Sequence, residues 1–185
     1  MDAAKTRRPN ILAELGFTHG LSVAVTLVFA LALQSTLFAR ITILGVIPQI
    51  LFVVIVSLAY LQGERVGVVC GFLGGLLQDL LLTDSIVGLY ALIYLLLGFA
   101  AGSFRKYAPA ESIWMPVFVV AGASIVAEMG YATLNIIMGQ RWVSLTFTLK
   151  VAALVVLYNT LLTPFVFPLV RRITDRFSPE KVYRW

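Results

Sequence analysis

Residues 63–82 read GERVGVVCGFLGGLLQDLLL, and we expect the fold to be organised around this stretch. From residue 66 onward it is apolar enough to cross a lipid bilayer, although it is barely long enough. Glycines at intervals of four share one helix face, with a further glycine beside them: Gly67, Gly71 and Gly75, with Gly74. Small residues in this pattern let another helix backbone approach closely. Since the same face reaches Asp79 one turn later, the stretch predicts a tightly packed helix with a buried acid near its end.

The composition of the whole chain indicates an integral membrane protein. Of the 185 residues, 60% are hydrophobic and only 12% are charged, whereas about half of a soluble domain is apolar. At roughly 20 residues per span, this length allows six or seven spans and no soluble catalytic domain. The net charge of +5 does not indicate nucleic-acid binding, because the basic residues lie in loops and at the ends of the chain.

The apolar segments predict an all-α bundle of six transmembrane helices with short loops. The predicted spans are residues 21–39, 46–61, 66–82, 86–104, 113–138 and 149–170, the last ending near Pro164 and Pro168. Residues 1–20 precede this membrane domain as an N-terminal segment that can include an interfacial helix. Residues 171–185 follow it as a basic tail.

The distribution of lysine and arginine predicts the orientation of the bundle. Eleven of the fourteen basic residues fall on one side of the predicted membrane, and three fall on the other: Arg40, Arg141 and Lys150. The richer side is expected to be cytoplasmic. Six spans then place both termini in the cytoplasm of a multi-pass protein.

Two charged residues near the outer ends of their spans are candidates for a pair. Asp79 lies about one turn, roughly 5 Å, from the end of the third span, and Lys150 starts the sixth at a similar depth. A structural ion pair would relieve two buried charges. The alternative is that Asp79 contacts a partner or a substrate.

A stripe of small and polar residues runs along the fifth span at helical spacing: Ala121, Ser124, Glu128, Tyr131 and Asn135. Glu128 lies near the middle of the bilayer, where a carboxyl group must be protonated or hydrogen-bonded. A buried polar contact inside the bundle and the wall of a cavity are both consistent with this pattern. Tyr158 and Asn159, midway along the sixth span, are further candidates for buried hydrogen bonds.

The basic tail has an amphipathic pattern, because Ile173 and Phe177 are four residues apart among three arginines: Arg171, Arg172 and Arg176. Such a helix suits the surface of an anionic membrane. A solvated anchor that only fixes the topology is the other interpretation.

Motifs of catalysis or cofactor binding are absent from the sequence. It has no P-loop and no serine nucleophile elbow, and its single cysteine, Cys70, and single histidine, His19, cannot supply a cluster of metal ligands. We therefore expect no cofactor, no metal and no enzymatic activity. Binding, transport and scaffolding remain as the possible classes of function.

Several of these residues together resemble the rod shape-determining MreD family of bacterial inner-membrane proteins. The resemblance rests on three segments: Pro48-Gln49-Ile50-Leu51; Gly67, Gly71-Phe72, Gly75 and Asp79 followed by Gly88-Leu89; and Tyr158-Asn159 with Pro164 before Arg171-Arg172. It covers about residues 21–172, although the fifth span and the loop after it carry little family signature.

The resemblance implies a non-enzymatic part of the cell-elongation machinery, the elongasome. MreD-like proteins bind MreC, a single-span protein with an extracytoplasmic domain. Together they help to regulate peptidoglycan synthesis by a RodA-type glycosyltransferase and a class B penicillin-binding protein, in step with MreB filaments. The fold is also said to be similar to the substrate-binding subunits of energy-coupling-factor vitamin transporters.

Two questions stay open at the level of the sequence. The glycine face is either a docking groove for a partner helix or a contact within the bundle. The function is either that of a scaffold or, as the alternative, that of a substrate-binding subunit for a vitamin-like molecule. For the second function, polar and aromatic residues would gather in the outer half of the bundle: Asp79, Tyr131, Asn135, Arg141 and Trp142.

Overall fold

The structure is a computed structural model that describes residues 17–37, 40, 45–82, 86–107, 114–139 and 144–177. These residues form six helices: α1 (Phe17–Thr36), α2 (Ile50–Gln62), α3 (Glu64–Leu81), α4 (Leu89–Phe104), α5 (Met115–Ile137) and α6 (Leu145–Phe177). The all-helical prediction is confirmed for this part of the chain. Three segments are long and apolar enough to cross a membrane: His19–Thr36, Met115–Ile137 and Leu145–Phe177. Most of the predicted N-terminal segment, residues 1–16, lies outside the described residues.

The short helix α2 lies at the centre of the bundle. All ten residues from Ile50 to Ala59 are buried, and α2 packs against each of the other five helices. Its 13 residues span about 20 Å at 1.5 Å per residue, less than the roughly 30 Å of a bilayer's hydrocarbon core. Since Val46 and Pro48 before it are also buried, α2 begins inside the bundle.

The helices α3 and α4 run antiparallel with their backbones in close contact. A Cβ on three glycines of α3 would overlap backbone carbonyl oxygens of α4: Gly67 with Gly98, Gly71 with Tyr94, and Gly75 with Tyr90. Gly74 faces α2 instead, where the side chain of Ile55 fills the space of a Cβ. In this structure the glycine face is therefore a contact within the bundle.

The longest helix, α6, continues through two prolines. The sequence predicted that the sixth span ends near Pro164 and Pro168, but the helix extends from Leu145 to Phe177 with both prolines inside it. A proline removes one backbone donor and often ends a helix in water. In membrane proteins, neighbouring helices and hydroxyl side chains compensate for this loss. Arg171, Arg172 and Arg176 thus belong to the same helix as the apolar segment.

The two ends of the bundle differ in their side chains. Gln49, Asp79 and Tyr90 lie at what we call the cavity end, where α1, α3 and α5 end and α2, α4 and α6 begin. The opposite end is called the tail end. There Nε2 of Gln62 donates a hydrogen bond to the hydroxyl oxygen of Thr174 at 3.2 Å.

Candidate functional site

A cavity of about 660 Å³ lies at the cavity end. Its walls come from residues 45–49 before α2, from Tyr90 of α4, and from residues 128–136 of α5 and 145–155 of α6. Apolar side chains form most of the lining, and a few polar groups converge on it. A concave pocket of this size and composition is typical of small-molecule sites.

Glu128 supplies the carboxyl group of the cavity wall. Its Oε1 accepts a hydrogen bond from Nε2 of Gln49 at 2.9 Å. Tyr131 and Asn135 line the cavity as well, whereas Ser124, from the same predicted stripe, is fully buried. The stripe on α5 therefore divides into a part that faces the cavity and a part that contacts the core.

Stacked aromatic rings connect the cavity to the core. The rings of Tyr131 and Tyr90 stack with centroids 4.5 Å apart, and Tyr90 contacts Tyr94 edge-on at 5.4 Å. Tyr94 in turn lies 5.1 Å from Phe52 of α2. Because Tyr94 and Phe52 are almost completely buried, this row of rings holds the cavity-facing tyrosines against rigid elements.

Side chains from other helices cap the buried N-terminus of α2. The Leu51 amide donates a hydrogen bond to Oε1 of Gln34 in α1 at 3.0 Å. The backbone N–H of Gln49 donates a hydrogen bond to Oδ1 of Asn159 in α6 at 3.2 Å. The first N–H groups of a helix have no partner within the helix, and buried N–H groups need one. These two side chains thus take the place that water has at an exposed helix end.

Both capping side chains are fixed by further hydrogen bonds. Nε2 of Gln34 donates to Oε1 of Gln78 at 3.0 Å, and Nδ2 of Asn159 donates to the Ser124 hydroxyl at 3.1 Å. Sequence reasoning identified Asn159 but missed Gln34 and Gln49 as site residues. The usable signal was a polar amide in an otherwise apolar segment, although the sequence does not tell which partner each amide finds.

Asp79 caps the N-terminus of α4. Its side chain is only 1% exposed. Oδ2 accepts hydrogen bonds from the amides of Gly88 at 2.9 Å and Ala91 at 3.0 Å, and Oδ1 accepts one from the Tyr90 amide at 3.1 Å. The partial positive charge of a helix N-terminus stabilises a carboxylate there. Gly88 has φ 102°, a left-handed conformation that glycine adopts without strain.

Lys150 does not form the ion pair with Asp79 that the sequence suggested. Among the described residues no salt bridge joins the two, and Lys150 is exposed on α6 rather than buried. The reason is the packing of α3, which lies mainly against α4 and α2 and provides Asp79 with backbone donors from α4. Tyr158 is half-buried, and the predicted outer residues Arg141 and Trp142 lie outside the described residues.

The tail end carries exposed charges. Arg171, Arg172 and Arg176 are exposed on α6, and Arg171 pairs with Asp175 at 3.8 Å. Nζ of Lys106 lies 3.0 Å from Oε2 of Glu64. The hydrogen bond and charge of Lys106 lower the pKa of the Glu64 carboxyl group below its usual value. As exposed pairs, these contribute little to stability.

The fold and the site define a helical membrane-type protein with a cavity at one end of its bundle. In the part of the chain that the structure describes, no group of three or more His, Cys, Asp or Glu residues could hold a metal ion. A family model described as rod shape-determining protein MreD matches residues 17–173, so the chain belongs to the MreD family. This is a family of membrane proteins that determine cell shape, and it is not a known enzyme family. No curated protein and no solved structure matches the chain, and the likeness to transporter subunits stays a prediction.

Proposed function

We propose that this protein is a non-enzymatic scaffold of the rod-shape machinery in the bacterial plasma membrane. In this proposal it binds an MreC-like single-span protein and helps to regulate peptidoglycan synthesis by a RodA-type glycosyltransferase and a class B penicillin-binding protein. The observation that carries the proposal is the family match, which extends over all six helices except the last residues of α6.

The packing of the glycine face narrows the surface on which a partner helix would bind. Gly67, Gly71 and Gly75 already contact α4, so a docking groove on this face would require α3 and α4 to separate. The partner is therefore expected on the outward apolar surface. Every helix except α2 has an exposed phenylalanine there: Phe29, Phe72, Phe99, Phe118 and Phe165.

A photocrosslinking scan tests the proposed partner. Each of these five phenylalanines is replaced, one at a time, by the photoreactive analogue p-benzoylphenylalanine in living cells. After irradiation, the products are purified and identified by mass spectrometry. Phe177 is the matched control, because it is exposed at the end of α6 in the charged segment and should not contact the membrane-spanning helix of a partner.

The proposal expects crosslinks to an MreC-like protein from one or two neighbouring positions and none from Phe177. The proposal would be contradicted if the crosslinks led only to unrelated proteins, or if none of the five positions gave a crosslink. Crosslinks to an ATPase module with its transmembrane coupling subunit would favour the transporter alternative instead.

A further inference from the structure

We propose that the cavity at the cavity end is a binding site for a small organic amine with an apolar, preferably aromatic, body. The ammonium group would bind the carboxyl group of Glu128, and the body would pack against Tyr131 and the apolar wall. This inference concerns the cavity alone and does not depend on the proposed scaffold function.

The chemistry of the cavity wall favours a positively charged ligand that donates hydrogen bonds. Among its described lining residues, Glu128 is the only charged one, and none is lysine, arginine or histidine. Gln49 binds Oε1 of Glu128, which leaves Oε2 for a ligand. A carboxyl group in an apolar site is costly to ionise unless a charge or several hydrogen bonds compensate. A primary ammonium would supply both, because it carries three donors and a positive charge.

The aromatic wall favours the same kind of ligand. Tyr90 and Tyr131 stack against each other, and both line the cavity together with Glu128. The tyrosine ring face that is not covered by the stack attracts a cation within about 6 Å. The remaining wall, including Val46, Val151 and Val155, offers an apolar surface to the body of the molecule.

The supports of the cavity indicate a preformed site. The backbone of Gln49 is held by the buried Asn159, and its side chain is held by Glu128. Tyr90 is held by Tyr94, which is 1% exposed. Side chains that are fixed in this way lose little further entropy on binding. The volume of about 660 Å³ falls within the range of roughly 300–1,000 Å³ that is usual for small-molecule pockets.

Three probes of similar shape but different charge test which kind of ligand the cavity prefers. They are 2-phenylethylamine, the neutral 2-phenylethanol and the anionic 3-phenylpropionate. Binding is measured by ligand-observed NMR to the full-length protein in phosphatidylcholine nanodiscs, and empty nanodiscs provide the correction for partition into lipid. We expect the amine to bind at least about tenfold more tightly than the alcohol, which corresponds to about 1.4 kcal/mol, and the acid to bind most weakly.

Two cavity variants, with Asp175→Asn as their control, assign the binding to the cavity. Glu128→Gln should abolish the preference for the amine, whereas Asp175→Asn, which changes an exposed acid at the tail end, should leave it unchanged. Ala132→Phe places a ring into the cavity from its α5 wall and should weaken all three probes. Circular dichroism and a single symmetric elution peak verify that each variant is folded.

Several outcomes would overturn the proposal. Equal binding of the three probes, or tighter binding of the acid, would exclude recognition by Glu128. An amine preference that survives in a folded Glu128→Gln variant would place the binding elsewhere. Loss of binding in Asp175→Asn would show that the amine responds only to surface charge.

Discussion

Asp79 is the residue on which a large part of the local structure depends. It is excluded from water, and its two oxygens accept three amide hydrogen bonds that begin α4. Asp79→Ala would leave these amides without their acceptor, and each unsatisfied buried donor costs about 1–3 kcal/mol. Fraying of the first turn of α4 would offset part of this cost. We therefore expect Asp79→Ala to lower the free energy of unfolding by about 2–4 kcal/mol in total. Thermal unfolding in detergent, followed by circular dichroism, measures it.

The control for Asp79 is Asp175, an exposed acid that pairs with Arg171 on the same helix. Asp175→Ala should change the free energy of unfolding by no more than about 0.5 kcal/mol. Asp79→Asn keeps one acceptor oxygen and should fall between the two alanine variants. The capping role is refuted if Asp79→Ala and Asp175→Ala unfold at the same temperature.

How well the role of a single residue can be predicted from the sequence depends on how far away in the chain its hydrogen-bond partners lie. Asp79 was predicted as a buried acid from its helix face, but its acceptor role was not, since the donors are set by the turn before α4. Gln49 and Glu128 are 79 residues apart, and Gln49 and Asn159 are 110 apart. Spacing along one helix predicts which face a residue occupies, but it does not predict which other helix meets that face.

At the scale of elements, the close contact of α3 and α4 gives a sharp test with two glycines. A Cβ on Gly71 would overlap the carbonyl group of Tyr94, whereas a Cβ on Gly122 of α5 meets nothing within 4 Å. Gly71→Ala should therefore destabilise the protein by about 1–3 kcal/mol, the usual cost of overpacking. Gly122→Ala should stabilise it by up to about 1 kcal/mol, since alanine is the better helix former.

The measurement for this pair of glycines is the midpoint of thermal unfolding of the two variants under the same conditions. The two substitutions add the same methyl group to the interior of a helix, so only the surroundings differ. Shifts of opposite sign agree with the observed packing. A Gly71→Ala variant as stable as the unchanged protein would mean that α3 and α4 are not in backbone contact.

The limits of each helix could be predicted only where the local sequence decides them. The third predicted span, residues 66–82, overlaps α3, Glu64–Leu81, because glycine spacing and hydropathy act within the helix itself. The second was predicted from residue 46, yet α2 begins at Ile50. Pro48 disfavours helical conformation at Ile47 and so opposes an earlier start there. The sixth was predicted to end near its prolines, but α6 continues through them to Phe177.

For the whole molecule, the two ends of the bundle differ in charge as well as in shape. Among the described residues, six basic side chains lie at the tail end: Arg65, Arg105, Lys106, Arg171, Arg172 and Arg176. Two, Arg40 and Lys150, lie at the cavity end. Lysine and arginine are enriched on the cytoplasmic side of membrane proteins. We therefore predict that the tail end faces the cytoplasm and that the cavity faces the opposite side of the membrane.

Labelling of single cysteines with a membrane-impermeant maleimide tests this orientation. Cys70 is buried and is first replaced by alanine to give a background without thiols. Ser144→Cys then places a thiol at the exposed start of α6, at the cavity end, and Tyr107→Cys places one after α4, where the side chain is 83% exposed. In cells stripped of their wall, Ser144→Cys should react at once, and Tyr107→Cys should react only after the membrane is permeabilised. The reverse pattern would contradict the predicted orientation and would place the cavity in contact with the cytoplasm. Equal labelling of both thiols in intact cells would also contradict it, because it would mean that the protein inserts in both orientations.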